Sequence, residues 1–384
     1  MSGSAPLRTV LIHEYVTGGG LAGQPLPASW AAEGGAMRRA LAEDFATLDG
    51  VRVVMTLDAR LPEEPGPWNT VRVAPGEEEH AFARLAAEAD HTLCIAPETG
   101  GVLLERARVI EAVGGRTLGS TPESIALTGD KWRLALHWRD EQIPTPRTQR
   151  VRMSDPLPEP LRFRIPAGTV LRSGLLRRDA DLVLRDSDWF DEVASYPAVL
   201  KPIDGAGSMH TYFIASADAA LPEGANSLDV ALLQPYDAGL PMSASILVGD
   251  DGRMILVGIG RQRVEVRDGR FNYQGGTVPA RPGPPAIEAL RAVESVEGLR
   301  GWVGVDFLWD EANGRVSVLE INPRLTTSYV GWRRLLPAGT LARVWLDLVN
   351  GRLDDTEEGS LAERVKGQGP VTFDADGSMR RGRF

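Results

Sequence analysis

Three side chains with hard oxygen donors stand at strand spacing late in the chain: Asp306 in Gly304-Val-Asp-Phe-Leu-Trp309, and Glu320 and Asn322 in Val318-Leu-Glu-Ile-Asn-Pro-Arg324. Residues two apart on a strand share a face, so Glu320 and Asn322 point together, and Asp306 lies on a neighbouring apolar strand. Such donors suit Mg²⁺ or Mn²⁺ held jointly with substrate phosphates, since Mg²⁺ rarely sits in an all-protein cage. Arg324 adds a fixed cation that could meet a phosphate or carboxylate through two parallel hydrogen bonds. Solvated charges on an amphipathic hairpin are the plainer reading of any one of these acids. The apolar character of both strands and the Pro-Arg that follows favour a metal site.

A second group begins at Lys201, delivered by Ala198-Val-Leu, and continues through Gly205, Ala206, Gly207 and Ser208 to a new strand near Thr211. The result is a hairpin whose glycine turn can lay backbone N–H groups over phosphates, although an ordinary turn would look the same. No GK[ST] is present and no helix follows the glycines, which removes the P-loop and dinucleotide-fold readings. Further on, the apolar strand Leu232-Leu breaks at Gln234, Pro235, Tyr236 and Asp237. That bend could serve an adenine edge with Asp237 near a ribose, or be a simple strand end. Lys131 stands at a helix start, the wrong end of the macrodipole for a cation unless an anion is near.

The elements that must carry these residues fall into two patterns. Apolar residues at 10–12 and 51–55 read as strands flanking a helical stretch at 31–48, and a helix at 82–89, a strand at 91–95, a helix at 102–113 and a short strand at 117–118 follow. Residues 1–120 are therefore predicted as an open, mostly parallel α/β domain. Short helices then lead to Ile143-Pro-Thr-Pro146, where two prolines end any helix. Residues 150–187, rich in proline, arginine and aspartate, read as an irregular insertion. From residue 198 strands dominate, with helices near 285–296 and 337–349, predicting an α+β half with antiparallel strands. The fold class is thus α/β plus α+β, and residues 351–384 read as a loose polar tail.

With 384 residues, the chain has room for about two or three domains. Hydrophobic residues at 43% and charged residues at 24% exclude a disordered or collagen-like chain. The balance of 42 basic against 52 acidic side chains gives −10 and argues against non-specific binding to nucleic acid or an anionic membrane. A single cysteine, Cys94, leaves no internal disulfide or cysteine-built zinc site. Apolar runs are far short of the roughly 20 residues a bilayer needs, and no signal-peptide core is apparent. A cytoplasmic protein acting on small molecules is expected. His13, His80, His91 and His137 have no partner at ligand spacing and read as structural.

Taken in order, Lys131, Lys201-Pro with its glycine turn, Gln234-Pro-Tyr-Asp237, Asp306 and Glu320-Ile-Asn-Pro-Arg324 resemble the ATP-grasp superfamily. The resemblance covers about residues 120–350, behind an α/β domain like the one that usually precedes such a core. Within it, His13-Glu-Tyr-Val-Thr-Gly-Gly-Gly20, Ile143-Pro-Thr-Pro146, Phe271-Asn-Tyr-Gln-Gly-Gly276 and the stretch from Asn322 to Val330 look like the tyramine-glutamate ligases of methanofuran and methylofuran biosynthesis and their bacterial relatives. The superfamily implies two lobes, here residues 121–235 and 236–350, that grasp ATP. Lys131 and Lys201 would bind phosphates, Gly205 to Ser208 would cover them, and Gln234 to Asp237 would line the adenosine pocket. Asp306, Glu320 and Asn322 would hold Mg²⁺ or Mn²⁺.

The implied chemistry is attack of a carboxylate on the γ-phosphate of ATP, then displacement of phosphate by an amine. By resemblance the donor is glutamate through its γ-carboxylate, and the acceptor tyramine or tyrosine. Arg261 and Arg263 alternate on one strand and with Arg324 could surround an acyl phosphate, a solvated strand face being the alternative. Gln274-Gly-Gly276 and Thr326-Thr-Ser328 read as loops suited to hydrogen bonding an amino acid. Gly18 to Gly20 could line the acceptor side or form a plain turn. Met209 and His210 depart from the smaller residues that often follow such a glycine loop. Another peptide or amino-acid ligase, a small-molecule kinase, an ATP-binding regulator and a homo-oligomer all remain compatible with the sequence.

Overall fold

The computed structural model describes residues 7–21, 23–158, 195–205, 208–281, 286–353, 361, 364–365 and 367–380. Ala206 and Gly207, and the expected insertion from residue 159 onward, lie outside them.

The N-terminal part alternates strand and helix: β1 (Arg8–Glu14), α1 (Ala28–Phe45), β2 (Val51–Asp58), β3 (Asn69–Val73), α2 (Glu78–Glu88), β4 (His91–Ile95) and α3 (Val102–Ala112). The strands form a parallel sheet in the order β3-β2-β1-β4. Its central strand is apolar on successive residues, Val10, Leu11 and Ile12, because both faces are covered. β3, Asn-Thr-Val-Arg-Val, escapes a periodicity reading since it is a partly exposed edge strand. The short strand expected at 117–118 is only a single bridge from Thr117 to Thr92.

After α4 (Pro122–Gly129) and α5 (Lys131–Asp140), a second sheet collects β5 (Gln149–Arg152), β6 (Ala198–Pro202), β7 (Tyr212–Ile214), β8 (Val230–Pro235), β9 (Leu240–Val248), β10 (Met254–Arg267) and β11 (Arg270–Val278). It continues past α6 (Ile287–Glu294) with β12 (Gly301–Asp310) and β13 (Arg315–Asn322), and past α7 (Tyr329–Trp332) and α8 (Thr340–Val349) with β14 (Val371–Asp374). The order is β13-β12-β9-β10-β11-β7-β6-β8-β5, with β14 added on β11, and the pairings are antiparallel. A single pairing, Arg270 to Tyr212, joins the β5 to β8 group to the rest. Among the described residues, no helix is long and apolar enough to cross a membrane.

Two expectations need correction here. Gln274-Gly-Gly276 is not a loop but part of β11, where glycines in place of β-formers hid the strand. The segment expected as a loose polar tail supplies β14, and Leu361, Val365 and Phe373 are buried in the main core. That core is shared between the two sheets: Phe45 of α1 packs near Trp345 of α8, which lies beside Trp302 of β12. Buried Asp44 of α1 fastens the junction, accepting hydrogen bonds from the Tyr329 hydroxyl at 2.7 Å and from Arg333 Nη2 at 2.8 Å.

The glycines of β11 admit β14. Gly275 has φ +106°, and a Cβ there would run into the Phe373 carbonyl oxygen. Gly275→Ala should therefore destabilise the protein by about 1–3 kcal/mol through backbone strain and collision. The expected result is a lower denaturant midpoint with faster proteolysis around residues 367–380, and an unchanged midpoint would contradict the close approach.

Candidate active site

The acidic residues meet because of a bulge. β12 and β13 pair Gly304 with Asn322 and Asp306 with Glu320, but the next pair is Phe307 with Val318, leaving Leu319 without a partner. On its other side Asp306 faces Ser243 of β9. Asn322 Nδ2 donates to Asp306 Oδ2 at 3.2 Å and Gln262 Nε2 to Oδ1 at 2.9 Å. Burial, with the charge of Glu320 beside it, pushes the Asp306 carboxyl up to about 7. Burial also works against a charge on Glu320, yet Lys131 and Lys201 outweigh it and hold that carboxyl below its ordinary value.

Both lysines face these acids. Lys201 leaves the buried strand β6 opposite Leu232, and burial pulls its ammonium down to about 8 while Glu320 opposes the shift. Lys131 opens α5, where Asp130 caps the helix through hydrogen bonds from the Trp132 and Arg133 N–H groups. Its Nζ donates to the Gly205 carbonyl at 2.6 Å and lies 3.3 Å from Glu320 Oε2. The anion that a lysine at a helix N-terminus requires is thus Glu320. Gly205 has φ +145° and borders the same cleft as Ser208.

The cleft, of about 380 Å³, also takes in Gln234, Pro235, Tyr236 and Asp237 at the end of β8. Gln234 uses its amide to donate to Thr148 Oγ1 at 2.7 Å, Asp237 Oδ1 accepts from the Gly239 N–H, and Tyr236 meets Phe213 edge to face at 5.2 Å. Apolar Val199 and Leu308 complete a wall suited to a flat ring, with Lys201 toward the acids.

The arginines differ from expectation. Arg261 does border the cleft, but Arg263 does not. Its Nη2 donates to the Phe373 carbonyl at 3.0 Å and pairs with Asp374 at 2.6 Å, tying β10 to β14. Register slips between Gln262 and Val264, so Gln262 rather than Arg263 turns to Asp306. Arg324 also borders the cleft, yet its two-pronged pairing is made with Glu98, Nε to Oε1 at 2.9 Å and Nη2 to Oε2 at 3.0 Å. Glu98 lies just beyond the carboxyl end of β4, a place where open α/β sheets present functional groups. Glu33 of α1 and Gln262 border the cleft without having been singled out by sequence, and Tyr273, inside the motif from Phe271 to Gly276 on β11, borders it too. The signal for Glu33 is long-range, whereas Gln262 stands between the two arginines that alternation picked out. Thr326, Thr327 and Ser328 do reach the cleft, whereas Gly18 to Gly20 form a turn against Thr56, Val73 and Tyr15. His13 is a buried structural residue with a carboxylate partner after all, Glu78 at 3.0 Å.

Among the described residues, no three His, Cys, Asp or Glu side chains gather as a metal site. Two opposed carboxylates and an amide oxygen nevertheless match a hard cation that takes its other oxygens from phosphate and water. The burial of Asp306 beside the like charge of Glu320 is the local feature such a cation would relieve.

The family profile described as "ATP-grasp domain" matches residues 128–328, and that of the "pre ATP-grasp 3 domain" matches residues 51–125. Two curated relatives, the tyramine--L-glutamate ligases of Methanocaldococcus fervens and Methanocaldococcus jannaschii, are 24% and 23% identical over 245 residues. The match spans 63% of this chain and 61% and 58% of those proteins. Among solved structures, an ATP-grasp superfamily protein from Archaeoglobus fulgidus has a TM-score of 0.61 at 24% identity, covering 90% of this chain and 88% of its own. The L-amino acid ligase from Bacillus licheniformis has a TM-score of 0.59 at 15% identity, covering 91% and 77%. At these identities the structural likeness shows the fold.

An unfolded chain would have Asp306 near 4, so its raised folded value makes the ionised carboxylate destabilising above about pH 7. That penalty fades as pH falls through 7 toward 4. Asp306→Asn should raise unfolding stability at pH 8 by about 1–3 kcal/mol and change it little at pH 4.5. Denaturant titrations at the two pH values check this, and a lowered midpoint at pH 8 would refute the charge argument.

Proposed function

The chain belongs to the ATP-grasp family, and on that premise we propose that it is an ADP-forming ligase joining a carboxylate to an amine through an acyl phosphate. The observation that carries this reading is the meeting of Lys131, Lys201, Asp306, Glu320 and Asn322 in one cleft bordered by Arg261. Lys131 and Lys201 bind the ATP phosphates beside Gly205 and Ser208, which border the same cleft, and the β8 end from Gln234 to Asp237 receives the adenosine. Asp306, Glu320 and Asn322 would hold Mg²⁺ or Mn²⁺, which when bound would neutralise phosphate charge.

Arg261 lies where it can hold the donor carboxylate, whose oxygen attacks the γ-phosphorus while the bond to ADP breaks. The amine nitrogen then attacks the acyl carbon and phosphate leaves. Each step gathers negative charge, so fixed cations in a cleft shielded from water supply the main stabilisation. Arg324, fixed by Glu98, shapes this wall, and Arg263 supports it from behind. Glutamate as donor and tyramine as acceptor are supported by the names of the two relatives, tyramine--L-glutamate ligase, with tyrosine as the alternative acceptor.

The test incubates the protein with ATP, Mg²⁺ or Mn²⁺, glutamate, and tyramine or tyrosine, following ADP and product mass together. The expected product is glutamate plus the amine less one water, formed with ADP only when both substrates are present. ADP without adduct would reject these substrates. Lys201→Ala should weaken ATP binding about tenfold or more, and Arg261→Ala should lower turnover about 10²-fold while ATP affinity changes much less, measured by calorimetry beside steady-state rates. Equal losses of turnover and ATP affinity in Arg261→Ala would count against its contact with the donor.

A further inference from the structure

Besides Asp237 at the end of β8, one carboxylate lining the cleft belongs to neither the acidic pair nor an arginine clamp. Glu33 comes from α1 of the N-terminal domain and borders the cleft with its side chain largely out of water. Its Oε1 accepts a hydrogen bond from Thr327 Oγ1 at 2.5 Å, and among the described residues no cation pairs with it. Arg324, the guanidinium whose charge acts on Glu33, is already paired with Glu98. Burial therefore raises the Glu33 carboxyl, with Thr327 and Arg324 opposing. A buried carboxylate without a cation is unfavourable, and a cationic ligand would relieve it.

Its surroundings say which cation. One carboxylate and one hydroxyl are too few donors for a metal ion, whereas an ammonium needs only a few hydrogen-bond acceptors. Tyr273 lines the same cleft as Glu33 and Asp306, and its phenol is pushed well up by burial and by the charges of those two acids. Val278, Gly276 and Phe373 border the cleft beside it, and a Cβ at Gly276 would stand 3.0 Å from Phe373 Cζ, so the glycine keeps this wall open over an aromatic ring. An anion at this end repels a second carboxylate, so the donor goes to Arg261.

Resting on the ligase reading above, we propose that Glu33 binds the ammonium group of an aromatic amine acceptor and takes its first proton, in a subsite walled by Tyr273 and Phe373. The ammonium gives one proton to the Glu33 carboxylate, and the freed lone pair forms the C–N bond at the acyl carbon. The C–O bond to phosphate then breaks with its electron pair on phosphate, which carries away the second proton from nitrogen. Thr327 fixes the carboxylate through Oε1.

The experiment titrates the full chain, loaded with a non-hydrolysable ATP analogue and Mg²⁺, with tyramine by calorimetry. Glu33→Gln should weaken tyramine binding about tenfold or more and Glu33→Asp less, with affinity for the ATP analogue kept in both as evidence of folding. In turnover the same variants should raise the KM for tyramine more than that for ATP. Equal tyramine affinity in wild type and Glu33→Gln, or no tyramine binding to the wild type, would overturn the subsite. Failure of the ligase reading shows separately: wild-type protein with ATP, glutamate and hydroxylamine would then yield no hydroxamate.

Discussion

Two lysines and two carboxylates share the floor of one cleft, largely out of water, and each pair is tolerable there only because of the other. Taking a charge from water into a protein interior costs several kcal/mol unless a partner offsets it. Glu320 keeps its charge because Lys131 and Lys201 stand beside it, while Lys201 is itself pulled toward neutrality by burial. The four groups come from α5, β6, β12 and β13, elements far apart in the chain. The condition that they arrive together constrains both parts of the large sheet and the helix ahead of it. The group left least compensated is Asp306, which burial and then the like charge of Glu320 push toward protonation.

The N-terminal domain takes part in the same balance. It sends acids across the boundary to meet groups of the second sheet and its helices: Glu98 to Arg324, Asp44 to Arg333 and Tyr329, and Glu33 to Thr327. The first two are satisfied by guanidinium groups and act as fasteners, with Asp44 placed beside the shared core of Phe45, Trp302 and Trp345. Glu33 receives only a hydroxyl. That difference separates a structural acid from one with capacity left for a ligand, and it follows from the partners rather than from the residue type.

Much of this was legible from the sequence because it depended on parity and order. The same-face placement of Glu320 and Asn322, the lysine before a glycine hairpin, and the proline-broken end of β8 are local patterns. The parallel N-terminal sheet was legible too, from apolar strands separated by helical stretches. Glu33 and Glu98 were not, because a glutamate on an amphipathic helix or after a strand looks solvated until its partner, 294 and 226 residues away respectively, is known. β14 was hidden by its polar flanks, and β11 by the paired glycines that let β14 approach.

Where the parity argument failed, it failed for one reason. Period two holds only while the ladder is regular, and register slips at Leu319, between Gln262 and Val264, and between Leu256 and Gly258. The first slip leaves Asp306 and Glu320 opposed while Leu319 turns to the cleft. The second brings Gln262 to Asp306 and leaves Arg263 to hold Asp374 on β14. A regular sheet offers one side chain in two to a given face, which is too sparse to surround a small reacting group. Bulges concentrate side chains at one point and re-aim them. The site therefore lies where the sheet is least regular, and the arginine pair that alternation favoured is divided between lining the cleft and fastening the strand behind it.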